Sequence, residues 1–197
     1  MNDAGRRRAL QARGFTLVEL LTVVAVVGIL AALAVVGYRK QMNSAGSAEA
    51  AAVIQGIRGA EEAYRSEMLV YLGCSGCNAP TGCAPGAGSL ASYYPMATPG
   101  NSKYHWVQPG HSDFACWQLL NVTTDGPVRF GYAVVAGTPG AISAVPDGFA
   151  SPPVWPGSVL QPWFVIQARG DRDNDGVPAL FLASSLSGEI YSENDSE

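Results

Sequence analysis

The sequence predicts an α+β chain: a long N-terminal α-helix, membrane-spanning in its first half, packed on a C-terminal antiparallel β-sheet head. Three observations predict it. An apolar run from Phe15 to Val36 carries a single charge, Glu19. The stretch that follows keeps helical spacing to about residue 72. Beyond Gly73 the glycines and prolines concentrate, and short β-rich runs separated by turn residues take over.

The apolar run comes first. At about 1.5 Å per residue, a helix over Phe15–Val36 is about 33 Å long and crosses the hydrocarbon of a bilayer. Arg6, Arg7, Arg8 and Arg13 precede it. By the positive-inside rule the first residues stay in the cytoplasm and the rest is exported. Ala32-Leu33-Ala34 fits the small-x-small cleavage pattern of a secretory signal. The run is longer than a usual signal core, however, and such a core has no use for Glu19. In a plain anchor Glu19 is a charge tolerated near the interface. Ionisable residues inside a span are otherwise functional candidates with a partner to be named. A cut between Gly14 and Phe15 would supply that partner, an ammonium group on Phe15. Carboxylate and ammonium then lie about 6 Å apart in rise within one helix, and meet between two helices staggered by about one turn. The pair gains strength in low dielectric, whereas either charge alone is costly.

Gly14-Phe15-Thr16-Leu17-Val18-Glu19 resembles the prepilin cleavage and methylation motif of type IV pilins and type II secretion pseudopilins. The following LLTVVAVVGILAALAVVGYRKQ, with Gly28 and Tyr38, resembles the anchor helix of the same family. The resemblance implies cleavage by prepilin peptidase after Gly14, N-methylation of Phe15, and storage in the inner membrane with the head in the periplasm. It also implies an inner-membrane assembly platform and a filament of like and related pilin subunits, in which Glu19 neutralises a neighbour's Phe15 amine. The expected function is that of a structural subunit of a type IV pilus, major or minor, ending at the cell surface. The alternative is a pseudopilin of a type II secretion system. Val36 stands where many members have proline. Gly28 and Gly37 weaken the helix interior by roughly 1 kcal/mol each instead.

The chain therefore divides into a leader (1–14), a membrane and assembly helix (15–37), an amphipathic continuation (38–72) and a disulfide-containing head (73–197). In the continuation Val53, Ile57, Ala60, Tyr64 and Met68 form one apolar stripe, with Glu49, Arg58, Glu61, Glu62 and Arg65 mostly off it. The stripe is expected to pack on the head's sheet.

Residues 73–115 read as an irregular segment dense in turn residues. Cys74, Cys77, Cys83 and Cys116 are even in number and lie beyond the apolar run, which favours disulfides in an oxidising compartment. Three pairings are open. A zinc site is a poor alternative, because C-x2-C-x5-C-x32-C does not make a paired C-x2-C ribbon; a redox C-x-x-C is weaker still. Strands are expected at 116–122, 128–137, 163–170 and 178–185, with Asp125-Gly126-Pro127 turning the first two into a hairpin.

In GDRDNDGVPALF, Asp171, Asp173 and Asp175 alternate before Gly176, as in the first half of a calcium-binding loop. The second half is missing, since the twelfth position is Leu182. Such carboxylates repel without a cation. A calcium ion would relieve them, with a backbone carbonyl such as that of Val177 as a further ligand. The competing reading is an acidic turn in which the side chains cap their own backbone and Arg169 and Arg172 supply the countercharge. Calcium loops in this part of the head also occur in major pseudopilins and some pilins. No other cofactor is expected.

The chain carries a formal charge of −4, and four of its twelve basic residues precede the apolar run, so the remainder is more acidic still. That balance argues against a nucleic-acid partner. The only histidines, His105 and His111, have no acidic pair or nucleophile motif nearby, so no enzyme is expected. Tyr104, Trp106, Phe114 and Trp117 are close in sequence and read as packing residues before they read as a sugar or surface-binding patch.

Overall fold

The structure is a computed structural model that describes residues 15–195. Helix α1 runs from Leu17 to Met68, close to the span expected. The chain forms two compact units that divide after Gln41.

In the first unit, Leu17–Tyr38 is long and apolar enough to cross a membrane. Its large side chains are exposed all round, from Leu17 and Leu20 through Ile29 to Val36. A helix that is apolar on every side needs lipid or other helices around it.

In the second unit, α1 lies against a four-stranded sheet of β1 (Gly131–Gly137), β2 (Trp163–Gly170), β3 (Ala179–Ser184) and β4 (Ser187–Glu193). The strands run in order β1-β2-β3-β4, each antiparallel to the next. Side chains alternate between the faces. Tyr132, Val134, Ala136, Phe164, Ile166 and Phe181 share one cluster with Ala50, Ile54 and Ile57 of α1. Ala133, Val135, Trp163, Val165 and Leu182 form the other with Leu90, Tyr93 and Ala144. Ile142, Phe149, Trp155 and Val159, from the connection between β1 and β2, pack on that second cluster. Covering on both faces explains why β1, β3 and the first half of β2 read as largely apolar runs rather than as apolar–polar alternation.

The stripe expected on α1 is rotated by about one residue. Ala50, Ile54, Ile57 and Glu61 are the fully buried positions, with Val53, Ala60 and Tyr64 on the flank and Met68 more than half exposed. The small Ala50 lets the helix approach the sheet, and Glu61 is drawn inward by a backbone donor: its Oε2 accepts the Leu72 N–H at 2.9 Å.

The segment expected as a first strand is helical. Helix α2 spans Phe114–Leu120 and buries Cys116, Trp117 and Leu120, spaced for one helical face. Its FACWQLL contains no β-branched residue, and Asn121 ends it in the left-handed conformation. Asp125-Gly126-Pro127 is therefore no hairpin between strands; it leads from α2 toward β1. Strand β4, unexpected from the sequence, is half-exposed and polar, and a two-residue turn at Ser185-Leu186 returns the chain into it.

Candidate functional site

The first turn of α1 is the site toward which the sequence points. Thr16 precedes the helix, and Glu19 is its third residue. The Thr16 N–H donates to Glu19 Oε2 at 2.9 Å, the Thr16 hydroxyl donates to the same oxygen at 2.8 Å, and the Glu19 N–H donates back to Thr16 Oγ1 at 3.2 Å. This is a reciprocal capping box that satisfies two of the orphan amides at the helix start. The T-x-x-E spacing was its signal in the sequence. All of the carboxylate's bonds fall on Oε2, so among the described residues Oε1 is unengaged. Phe15 is 79% exposed. Gly14, the residues 1–14 expected as a leader and their four arginines lie outside the described residues.

The four cysteines pair as Cys74–Cys116 and Cys77–Cys83, each with a Cα separation of 5.4 Å. None is left for zinc, and the adjacent Cys74 and Cys77 do not bond to each other, so the redox reading falls as well. The first bridge ties the irregular segment to α2, and the second closes a small loop. The carboxylate of Asp113, just ahead of α2, is buried and accepts the N–H groups of Gly76 and Asn78 and the Ser92 hydroxyl. His111 accepts the Asp113 N–H at Nδ1 while its Nε2 lies 2.8 Å from the Tyr93 carbonyl, so both ring nitrogens are tied into the structure.

The three loop aspartates come together, with one oxygen of each within 4.8 Å of the others. Asp171 Oδ2 accepts the Gly176 N–H, Asp173 Oδ1 the Asp175 N–H and Asp175 Oδ1 the Val177 N–H. Asn174 adopts φ +62°, and Gly176 adopts φ +90°, where other residues are strained. Arg169 does not serve as the countercharge: its guanidinium donates to Asp147 at 3.1 Å. Arg172 reaches the Met42 carbonyl of α1 at 2.9 Å, passing where a side chain on Gly46 would stand. Among the described residues, Asp171 Oδ1 is buried without a donor.

Trp106, Phe114 and Trp117 gather in the fold, joined by Tyr94, which stacks on Trp117 at 5.3 Å and meets Trp106 edge-on at 5.1 Å. Tyr104 stays apart, bridged to Val128.

These features define a chain whose apolar first helix opens on an acid-closed cap and whose α+β head is stapled by two disulfides. The family described as the prokaryotic N-terminal methylation motif matches residues 10–35, and so the chain carries the prepilin-type signal of type IV pilins and pseudopilins. No curated protein and no solved structure matches the chain. The motif supports a precursor of type IV pilin or pseudopilin type.

Proposed function

We propose that the chain is a structural subunit of a type IV pilus, not an enzyme, cut by prepilin peptidase after Gly14 and N-methylated at Phe15. The observation that carries this reading is Glu19 at the start of an exposed apolar helix, with one carboxylate oxygen used by the cap and the other unengaged among the described residues. The helix anchors the subunit in the inner membrane with its head in the periplasm. Extraction into the filament exchanges lipid contacts for helix–helix contacts with like and related subunits. Oε1 then accepts the ammonium of a neighbour's Phe15, so Glu19 holds its own helix start and selects a staggered partner at once. In low dielectric the pair is favourable and a mismatched charge is costly. Electron microscopy of cell surfaces tests the reading: filaments should vanish on deletion of the gene and return with the wild-type chain.

The second reading, a pseudopilin of a type II secretion system, is favoured by the Asp171–Asp173–Asp175 loop. Its clustered oxygens and the unpartnered Asp171 Oδ1 fit a calcium ion, a hard cation that takes carboxylate oxygens. A deletion strain that keeps its surface filaments but loses protein secretion would favour this reading over the first.

A further inference from the structure

The chain leaves α1 through a turn at Leu69. Its φ is +62°, in the left-handed region. Among the described residues five non-glycine positions have positive φ, and the other four are asparagines. Asparagine and glycine enter this region at little cost, whereas a bulky residue there is strained. The turn is held in place locally. The Leu69 N–H donates to the Arg65 carbonyl at 2.8 Å, and the Arg65 guanidinium donates to the Tyr71 hydroxyl, also at 2.8 Å. Tyr71 and Leu72 then enter the core. The Leu69 side chain gains little inside the chain, because it is 78% exposed beside the exposed Met68. Strain that brings no internal contact points to a partner outside.

An open groove of about 460 Å³ runs between α1 and the end of α2. Gly56, Ala60, Ala63 and Tyr64 line one side, and Leu119 and Thr123 the other. Gly56, Ala63 and Leu119 are exposed, so the groove is open to an incoming side chain. Glu67 is its only charged lining residue.

We propose that Leu69 of one copy of this chain inserts into this groove of the next copy. The proposal rests on the assembly reading above and names a contact between heads. Along the axis of α1, Leu69 stands about 8 Å beyond Tyr64 and about 20 Å beyond Gly56. Two copies at the same level therefore cannot make the contact. Copies anchored in one orientation make it only with an axial shift in that range. Each copy then offers a leucine to one neighbour and a groove to another, so the contact repeats without closing, as a filament requires.

The test uses the full chain in its native host, with sheared filaments as the readout. Leu69→Asn relieves the turn and removes the leucine. The variant should melt at or above the wild-type temperature in detergent, yet give about tenfold fewer filaments. In a merely structural role, yield would instead follow stability. A second variant joins Leu69→Cys with Ala63→Cys. Within one chain these positions are about 9 Å apart in rise, too far to bridge. Non-reducing gels of its filaments should show a ladder of covalent oligomers beyond the dimer, which either single substitution lacks. Wild-type yield from Leu69→Asn, or filaments of the double variant without a ladder, would overturn the proposal and leave the assembly reading standing. A wild-type chain that forms no filaments would overturn both.

Discussion

Thr16 and Glu19 hold each other at the head of α1 through three hydrogen bonds, all of the carboxylate's share falling on one oxygen. Capping and docking can therefore be separated by substitution. Glutamine also closes a capping box, but it carries no charge. Glu19→Gln should keep the helix start and lose filament assembly, as Glu19→Val should, while both still fractionate with the membrane. Thr16→Val, which removes the hydroxyl of the cap, should cost about 1 kcal/mol of local stability and leave assembly largely intact. Sheared-filament yield is the measurement. A wild-type yield from Glu19→Gln would show that the charge has no part in docking.

Glu61 gives the head a pH dependence. Burial pushes its carboxyl up from 4.5 to about 8, against the opposing effect of the Leu72 N–H and with help from the neighbouring Glu62. The unfolded chain therefore releases this proton at lower pH than the folded one. Stability is greatest below pH 4.5 as far as this group is concerned, and falls as pH rises from there to about 8. The fall amounts to as much as about 5 kcal/mol. Glu61→Gln keeps an acceptor for Leu72 and should remove this slope, melting higher than wild type at pH 8. Thermal unfolding of both chains across the range checks it; parallel curves would contradict the assignment.

The two disulfides should contribute unequally. Cys74–Cys116 spans 42 residues of sequence and Cys77–Cys83 spans 6. On loop-closure entropy the first is worth about 4 kcal/mol and the second about 2. Paired Cys→Ala substitutions, read by urea midpoints of the detergent-solubilised chain, should follow that order, and the reverse order would show that chain entropy does not govern these bridges.

The acidic loop makes a separate prediction. Calcium should raise the melting temperature of the wild-type chain, with a stabilisation of about 2.7 kcal/mol at a hundred times the dissociation constant. Asp171→Asn and Asp173→Asn should remove most of it. Calorimetry that shows neither heat nor a melting shift on calcium addition would leave the loop as an acidic turn braced by backbone amides.

Much of this was legible in the sequence because it rests on long, strong patterns. The apolar helix has one charge in twenty-two residues, and β1 and β3 are largely apolar runs bounded by turn residues. What was illegible depends on distant partners. FACWQLL is short enough to read either way, and its disulfide and aromatic neighbours come from elsewhere in the chain. Strand β4 is half-exposed, so no apolar alternation marks it. Glu61 looked like a surface residue, because only the Leu72 amide explains its burial. Glu19 stands out in the sequence as an acid in an apolar run, and Thr16, three residues before it, gives it a second, local role as half of a capping box.

In the assembly we propose, a new N-terminus at Phe15 completes a charge pair with Glu19. Mass spectrometry of the mature protein from its native host tests it most directly. The mature chain should begin at Phe15 and carry one added methyl group. An N-terminus after Ala34, or an uncut chain still beginning at Met1, would contradict it.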